Sequence, residues 1–420
     1  MKTTVVGSWH LASIYAAGLA TLGHDVGLVA RSDVVAGYRA GMPPVLEPGL
    51  KEALGKHQAA GTWKFSDDIN NPSNAAEVCF LAEDVKVVPS GVDLDDFRKL
   101  FDAVASSGNF NIICISSQMP IGTCRELQAA YPDIRIAHFP EFLRLGEGLA
   151  RFLKPDYIVL GGEKETTAKI MAFFDSVASP KFEVTLEEAE MAKHAANIAM
   201  ALMVSFISEL TKFSERFNVN LERVGEILRC DARIGPKAYV LPGMGFSGET
   251  VERDIRVLLE KGRELGIDLP LLAEIIPVNN EHNRFIEREL KKRISNMRGA
   301  RIGFLGVTYK PVTSTLRGSL FTDLMVKLAS EGAAIRLLDP HVKEFQFLAE
   351  DADEVFRDAD AVVIAVGKKE FRDLDFGKLV ATMKRPVIID AANFMARAMV
   401  EQLKVEYASI GRGMFGKLAI

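Results

Sequence analysis

One uninterrupted stretch constrains this chain more than any other: residues 187–217, EEAEMAKHAANIAMALMVSFISELTKFSERF. It contains neither Gly nor Pro, opens on acids and closes on Lys212 and Arg216, the order that the helix dipole favours. Apolar residues recur at helical spacing through Met191, Ala195, Ile198, Leu202, Phe206, Leu210 and Phe213. At 1.5 Å per residue such a helix is about 45 Å long, enough to cross a whole domain. Its first half carries Glu190, Lys193 and Asn197, the last two one turn apart on one face. Two readings follow: a core or dimer helix with a solvated polar edge, or a rigid element projecting a Lys and an Asn into a site.

The chain has 420 residues, too many for one core, and divides by pattern into 1–180, 181–297 and 298–420. A net charge of −5 gives no basis for nucleic-acid binding. The four cysteines, Cys79, Cys114, Cys124 and Cys230, have no metal-ligand or disulfide-framework spacing. Reduced thiols in a cytoplasmic protein without a metal are expected. The opening MKTTVVGSW passes directly into a strand with no signal-peptide pattern, and no apolar run is expected to span a membrane.

Residues 3–6 read as a strand, followed by Gly7-Ser-Trp-His-Leu-Ala12, a helix to about Leu22 and a second strand ending at Ala30. This is the start of a βαβ unit that seats a pyrophosphate on a helix N-terminus, with Gly7, Trp9, Leu11 and Arg31 as candidate cofactor residues. The pattern is altered. Trp9 stands where a glycine lets backbone approach phosphate, and Ala30-Arg31-Ser32 replaces the acid that bonds ribose hydroxyls. Glu83 and Asp84, at the end of a later strand, add negative charge where a dinucleotide would lie. NAD or NADP is therefore expected on a degenerate site, with loss of the cofactor as the alternative.

Strands and helices alternate through residue 180, with strands at 78–81, 111–115, 134–137 and 157–161, which predicts a parallel sheet. After the long helix come a helix at 221–229 and the loop Leu241-Pro-Gly-Met-Gly-Phe-Ser-Gly248, which meets a helix beginning at Glu249. A glycine-rich loop at a helix start presents backbone N–H groups to an anion. A helical segment at 271–296 is expected to kink at Pro277. From Ala300 the alternation restarts, with strands at 301–306, 335–339, 361–366 and 386–390. The fold class is α/β: two Rossmann-like parallel-sheet domains joined by a long central helix and a helical middle region.

These segments, in this order, resemble the UDP-glucose/GDP-mannose 6-dehydrogenase family over essentially the whole chain. Pro44-Val-Leu-Glu-Pro-Gly-Leu50, Pro120-Ile-Gly-Thr123, Pro140-Glu-Phe-Leu-Arg144 and Glu190-Met-Ala-Lys193-His-Ala-Ala-Asn197 are similar to its motifs. So are Arg233-Ile-Gly235, Tyr309-Lys310-Pro311, Leu316-Arg317-Gly-Ser319, Asp339-Pro340 and Ser409-Ile-Gly-Arg412. The resemblance implies oxidation of a nucleotide-linked hexose alcohol with NAD in a homodimer. Lys193 and Asn197 would hold the developing alkoxide, Asp254 would orient water and lysine, and Glu141 would assist hydrolysis. Arg317 would serve the cofactor. Phe142, Leu143, Gly245, Phe246, Gly248 and Lys310 would line the sugar nucleotide, and Arg233 would reach the neighbouring subunit's substrate.

The family's second oxidation runs through a cysteine thioester, in a stretch reading G-F-G-G-S-C-L-P-K-D. Here the stretch is Gly245-Phe-Ser-Gly-Glu-Thr-Val-Glu-Arg-Asp254, so Thr250 stands at the cysteine. A thiol of pKa about 8.5 is partly ionised at neutral pH; a hydroxyl is not, and needs an adjacent base. Gln118, Leu145, Ala392, Val85-Lys86, Val312, Ser314 and Thr315 are further departures. The expected activity is hydride transfer from a UDP- or GDP-sugar hydroxyl without the thioester route. The alternative is a catalytically silent paralogue that binds nucleotide sugar or a partner subunit. His10, His24 and His194 read as a helix start, a turn and a helix neighbour rather than catalysts.

Overall fold

The computed structural model describes residues 1–88, 91–140, 142–143, 146–413 and 417–418. The chain forms two compact units, Met1–Ala196 with Arg256–Ile267, and Asn197–Ile255 with Asp268–Ile420. Two of the three boundaries fall inside helices, the central helix Leu186–Phe217 and the loop helix Glu249–Leu265, and the third lies just after the loop helix.

The first unit is built on an eight-stranded sheet. Its strands are β1 (Lys2–Val6), β2 (Asp25–Val29), β3 (Trp63–Ser66), β4 (Ala76–Leu81), β7 (Phe110–Ile115), β8 (Arg135–His138), β9 (Ile158–Gly161) and β10 (Lys181–Val184), with a small hairpin of β5 (Lys86–Val88) and β6 (Gly91–Asp93) between β4 and β7. The order β10-β9-β8-β7-β4-β1-β2-β3 reverses direction between β4 and β1. That switch point is where open α/β sheets leave a crevice beyond the strand C-termini. Ladders are parallel except the single bridge joining β8 to β9. β10 extends this sheet beyond residue 180, where the alternating pattern places the end of the domain.

Burial on both faces explains the apolar runs. Phe80, Ile112 and Cys114 enter one core, while Cys79, Leu81, Ile113 and Ile115 enter the other. The second unit repeats the scheme with β11 (Arg301–Leu305), β12 (Ala334–Leu338), β13 (Ala361–Ile364), β14 (Val387–Asp390), β15 (Glu406–Ser409) and β16 (Lys417–Leu418), ordered β12-β11-β13-β14-β15-β16. Only the β15–β16 pairing is antiparallel among these described strands. Ile302 and Phe304 face one core, and Leu305, Val362 and Ile364 the other.

Two expectations need correction. The segment 271–296 does not kink at Pro277. It breaks at Glu274 and Arg284 into Pro270–Ala273, Ile275–Asn283 and Phe285–Arg293. Proline lacks the N–H for a carbonyl one turn back, so it is accommodated by restarting the helix and placing Pro277 in the new first turn.

The second correction concerns the central helix. Leu186–Ser214 is long and apolar enough, by length and composition alone, to cross a membrane. Its burial departs from the expected pattern, although Ile198 of the apolar stripe is buried. Glu190, Lys193, His194, Ser205, Ser208, Thr211 and Ser214 are buried, while Met191, Met203, Phe206, Phe213 and Phe217 are exposed. Three of these hydroxyls are satisfied locally, Ser208 and Thr211 donating to carbonyls of their own helix and Ser214 to Val219 O, while Ser205 Oγ is buried without a partner among the described residues.

Candidate active site

The polar face of the central helix is occupied residue by residue. Glu190 accepts from Gly122 N at 2.6 Å and Cys124 N at 2.8 Å, capping the helix Thr123–Ala130 that follows Pro120-Ile-Gly. Burial pushes its carboxyl up despite those donors. His194 contacts Gln118 Nε2 through Nδ1 at 3.1 Å and Met119 O through Nε2 at 2.9 Å. Glu190 and His194 thus hold the segment 118–124 against the helix.

Lys193 is buried, its ammonium 5.0 Å from the centroid of the Phe142 ring, a cation–π placement. One turn further on, Asn197 Nδ2 donates to Asp254 Oδ2 at 2.5 Å. Asp254 lies in the loop helix, fully buried, and its other oxygen accepts from Arg253 Nε at 3.1 Å. The structure therefore joins Asn197 to Asp254 and Lys193 to Phe142. Glu141 lies outside the described residues.

The glycine loop is clamped from the helix Ile275–Asn283. Asn283 Oδ1 accepts from Gly245 N at 2.9 Å, Asn279 Nδ2 and Asn283 Nδ2 donate to Phe246 O at 2.9 and 3.2 Å, and His282 Nε2 meets Gly243 O at 2.7 Å. A Cβ on Gly245 would overlap Asn279 Oδ1. Gly248, at φ +82°, packs against the Tyr309 ring, and Lys310 Nζ lies 5.3 Å from that ring's centroid. Sequence reasoning missed the clamp, although Asn279, His282 and Asn283 follow the i, i+3, i+4 spacing of one helix face.

It missed Lys368 as well. This side chain is fully buried four residues past the end of β13, bonded to Asp339 Oδ1 at 3.2 Å, His341 Nδ1 at 3.1 Å and Pro311 O at 3.1 Å. Burial lowers its ammonium pKa although Asp339 opposes the shift. The contacts fix the segment after β11 that carries Lys310. Arg317 is exposed on that segment.

Thr250 is exposed, second in the loop helix. Arg233 is exposed too, folded back on Asp231 with NH2 to Oδ2 at 2.6 Å. Of the four cysteines, Cys79, Cys114 and Cys124 are buried, and burial raises each thiol's pKa. Cys230 is exposed at the end of the helix Leu221–Cys230.

At the switch point of the first sheet, Gly7 has φ +153° and a Cβ there would overlap the Ala82 carbonyl oxygen. The helix His10–Thr21 begins behind Trp9, with Leu11 buried in its first turn. Trp9 is 39% exposed. Ser8 N donates to Glu83 Oε2 at 2.9 Å, and Ser8 Oγ accepts from Arg31 N at 3.1 Å. Arg31 pairs with Asp33 on the surface. Glu47, from the Leu-Glu-Pro-Gly-Leu segment, accepts from Gly146 N at 3.0 Å and Gly148 N at 2.6 Å and contacts His10 Nε2 at 3.1 Å. His24 Nε2 meets Phe173 O at 2.8 Å, a turn contact rather than a catalytic one.

Comparison with known proteins places this arrangement. Residues 1–175 match the NAD binding domain, 187–281 the central domain and 303–397 the UDP binding domain of the UDP-glucose/GDP-mannose dehydrogenase family. The chain belongs to that family. The UDP-glucose 6-dehydrogenase of Rhizobium meliloti (strain 1021) is 28% identical over 98% of this chain and 100% of its own. A UDP-glucose dehydrogenase of the hyperthermophilic archaeon Pyrobaculum islandicum superposes with a TM-score of 0.84 at 27% identity, covering 94% of each chain. The UDP-D-ManNAc dehydrogenase of Pyrococcus horikoshii shares the fold, with a TM-score of 0.86 at 23% identity, over 98% of this chain and 100% of that one.

Membership makes this an oxidoreductase acting on the CH–OH of a nucleotide sugar, with NAD as cofactor. The β1 turn fits that cofactor in its backbone. Gly7 lets the turn pack directly against the Ala82 carbonyl, and the first-turn N–H groups of His10 and Leu11 have no intrahelical acceptor. Trp9 and Glu83 stand at this turn as well.

Proposed function

We propose that this dehydrogenase removes one hydride from a hexose hydroxyl of a UDP- or GDP-sugar and makes no thioester. Bound NAD supplies the hydride acceptor. In this reading Lys193 and Asn197, four residues apart in the sequence, give N–H groups to the substrate oxygen as negative charge develops on it. Asp254 takes one N–H of the Asn197 amide and fixes the orientation of the other. The hydrogen on the carbinol carbon is lost with its electron pair as hydride, the hydroxyl O–H gives its proton to water, and the C–O single bond becomes the carbonyl of the product. The glycine loop with Phe246, and Lys310, hold the nucleotide-sugar diphosphate. Phe142 and Leu143 flank the sugar.

The observation that carries this reading is the asymmetry of the site. The Asn197–Asp254 contact needed for the first oxidation is made at 2.5 Å, whereas Thr250 is exposed on a helix start. Counting NADH per sugar consumed, with product mass, tests it. One NADH and a carbonyl product or its hydrate support it. Two NADH with a trapped Thr250 ester would overturn it.

We also infer a homodimer in a reducing compartment. The apolar face of the central helix supports the dimer, and four free cysteines support the compartment. In such a dimer Arg233, with its side chain 88% exposed, would serve a neighbouring subunit's substrate.

A further inference from the structure

β4 and β1 are neighbours at the switch point, in register Val6 to Leu81. Ser8 and Glu83 are therefore equivalent positions, each two residues past the paired strand ends. The bond between them, Ser8 N to Glu83 Oε2 at 2.9 Å, puts a carboxylate on a backbone N–H of the turn that serves pyrophosphate. A carboxylate and a phosphate oxygen seek the same donor, and both are anions. We propose that Glu83 is a built-in competitor for the NAD pyrophosphate, so that the cofactor binds fully only when this carboxylate turns away or takes up a proton.

The surroundings decide how strongly the group resists. Burial, then the charge of Asp84 beside it, raise the Glu83 carboxyl pKa; the Ser8 N–H and Arg31 pull it back. Arg31 is partly neutralised by Asp33. On the helix side His10 is engaged with Glu47. No basic group is hydrogen-bonded to Glu83 among the described contacts, so an arriving pyrophosphate meets a like charge whenever Glu83 is ionised. The sign follows: NAD affinity is highest at acid pH and falls as pH rises through the Glu83 pKa.

The test is binding without turnover, by calorimetry with NAD and by fluorescence, since Trp9 is itself in the turn. Wild-type protein should take up a fraction of a proton per NAD bound, read as a dependence of binding heat on buffer ionisation enthalpy. Glu83→Gln keeps an oxygen for Ser8 N and removes the charge. It should bind NAD on the order of tenfold tighter at pH 8, with no proton uptake and a flat pH profile. Wild-type proton uptake needs no variant, so a poorly folding substitution does not remove the test. Equal affinity and equal pH profiles for both proteins would overturn the proposal while leaving NAD binding intact. No binding of NAD by either at any pH would overturn it together with the cofactor reading.

Discussion

Asn197 and Asp254 are joined at 2.5 Å between the central helix and the loop helix, and Asp254 is sealed from solvent beside Arg253. The buried acid fixes which way the amide points. Asn197→Ala removes a donor that acts only as charge develops on oxygen, so kcat should fall by about 10²–10³-fold with KM nearly unchanged. Asp254→Asn leaves the size intact but lets the amide flip, and should cost a smaller factor in kcat. Initial rates of NADH formation separate the two parameters. A rise in KM with kcat preserved in both variants would remove the pair from the chemistry.

Thr250, which the sequence reading sets at the family's cysteine, is an exposed hydroxyl at a helix start. An unactivated hydroxyl contributes no nucleophile. Thr250→Ala should keep kcat within about threefold and leave NADH per sugar unchanged. Loss of all turnover with an unchanged melting temperature would count against the single-oxidation reading.

Glu47 ties three parts of the first unit together through His10, Gly146 and Gly148. Burial alone would raise its carboxyl, but the His10 contact and two backbone donors hold it below the ordinary value of 4.5. A depressed folded-state value means the network contributes its full stability above the unfolded pKa and loses it as pH falls through the folded one. Glu47→Ala leaves buried donors unpaired and should cost on the order of 2–4 kcal/mol. Denaturant melts at pH 7 and pH 3.5 check both statements: the gap between wild type and variant should shrink in acid.

Gly245 leaves no room for a side chain because Asn279 lies where a Cβ would go. Gly245→Ala forces the loop off its asparagine clamp. KM for the nucleotide sugar should rise about tenfold, with a smaller change in kcat, because the loop positions rather than reacts. Steady-state titration of the sugar reads the difference.

What was legible in the sequence followed from local rules. The strand–glycine–helix opening, the ends of the central helix and the restart near Ala300 rest on periodicity and turn chemistry, which act over a few residues. Glu83 was visible as a charge at a strand end. That it bonds Ser8 N was not, because strand pairing between β1 and β4 sets the juxtaposition. Lys368 and Asn279 were invisible for the same reason: each is defined by partners far away in the chain. The central helix shows the limit most clearly. Its apolar stripe predicts burial, but periodicity cannot say which face meets this chain's own core.

That exposed stripe gives the last prediction. Met203, Phe206, Phe213 and Phe217 recur at three-, seven- and four-residue steps on one helical face, and Phe206, Phe213 and Phe217 are 51%, 57% and 69% exposed. Phe213 and Phe217 stack with ring centroids 6.3 Å apart, and Ile227 on the next helix is 69% exposed. An apolar face this continuous, over a helix that buries its own hydroxyls, is what an interface with a second copy requires. Each phenylalanine brings about 150–250 Å² to such a contact. Phe206→Asp with Phe213→Asp would bury two unpaired charges there, so light scattering should find a dimer for wild type and a monomer for the double variant. Far-ultraviolet circular dichroism should be unchanged, since both positions already face outward. A monomeric wild type at micromolar concentration would sink the dimer.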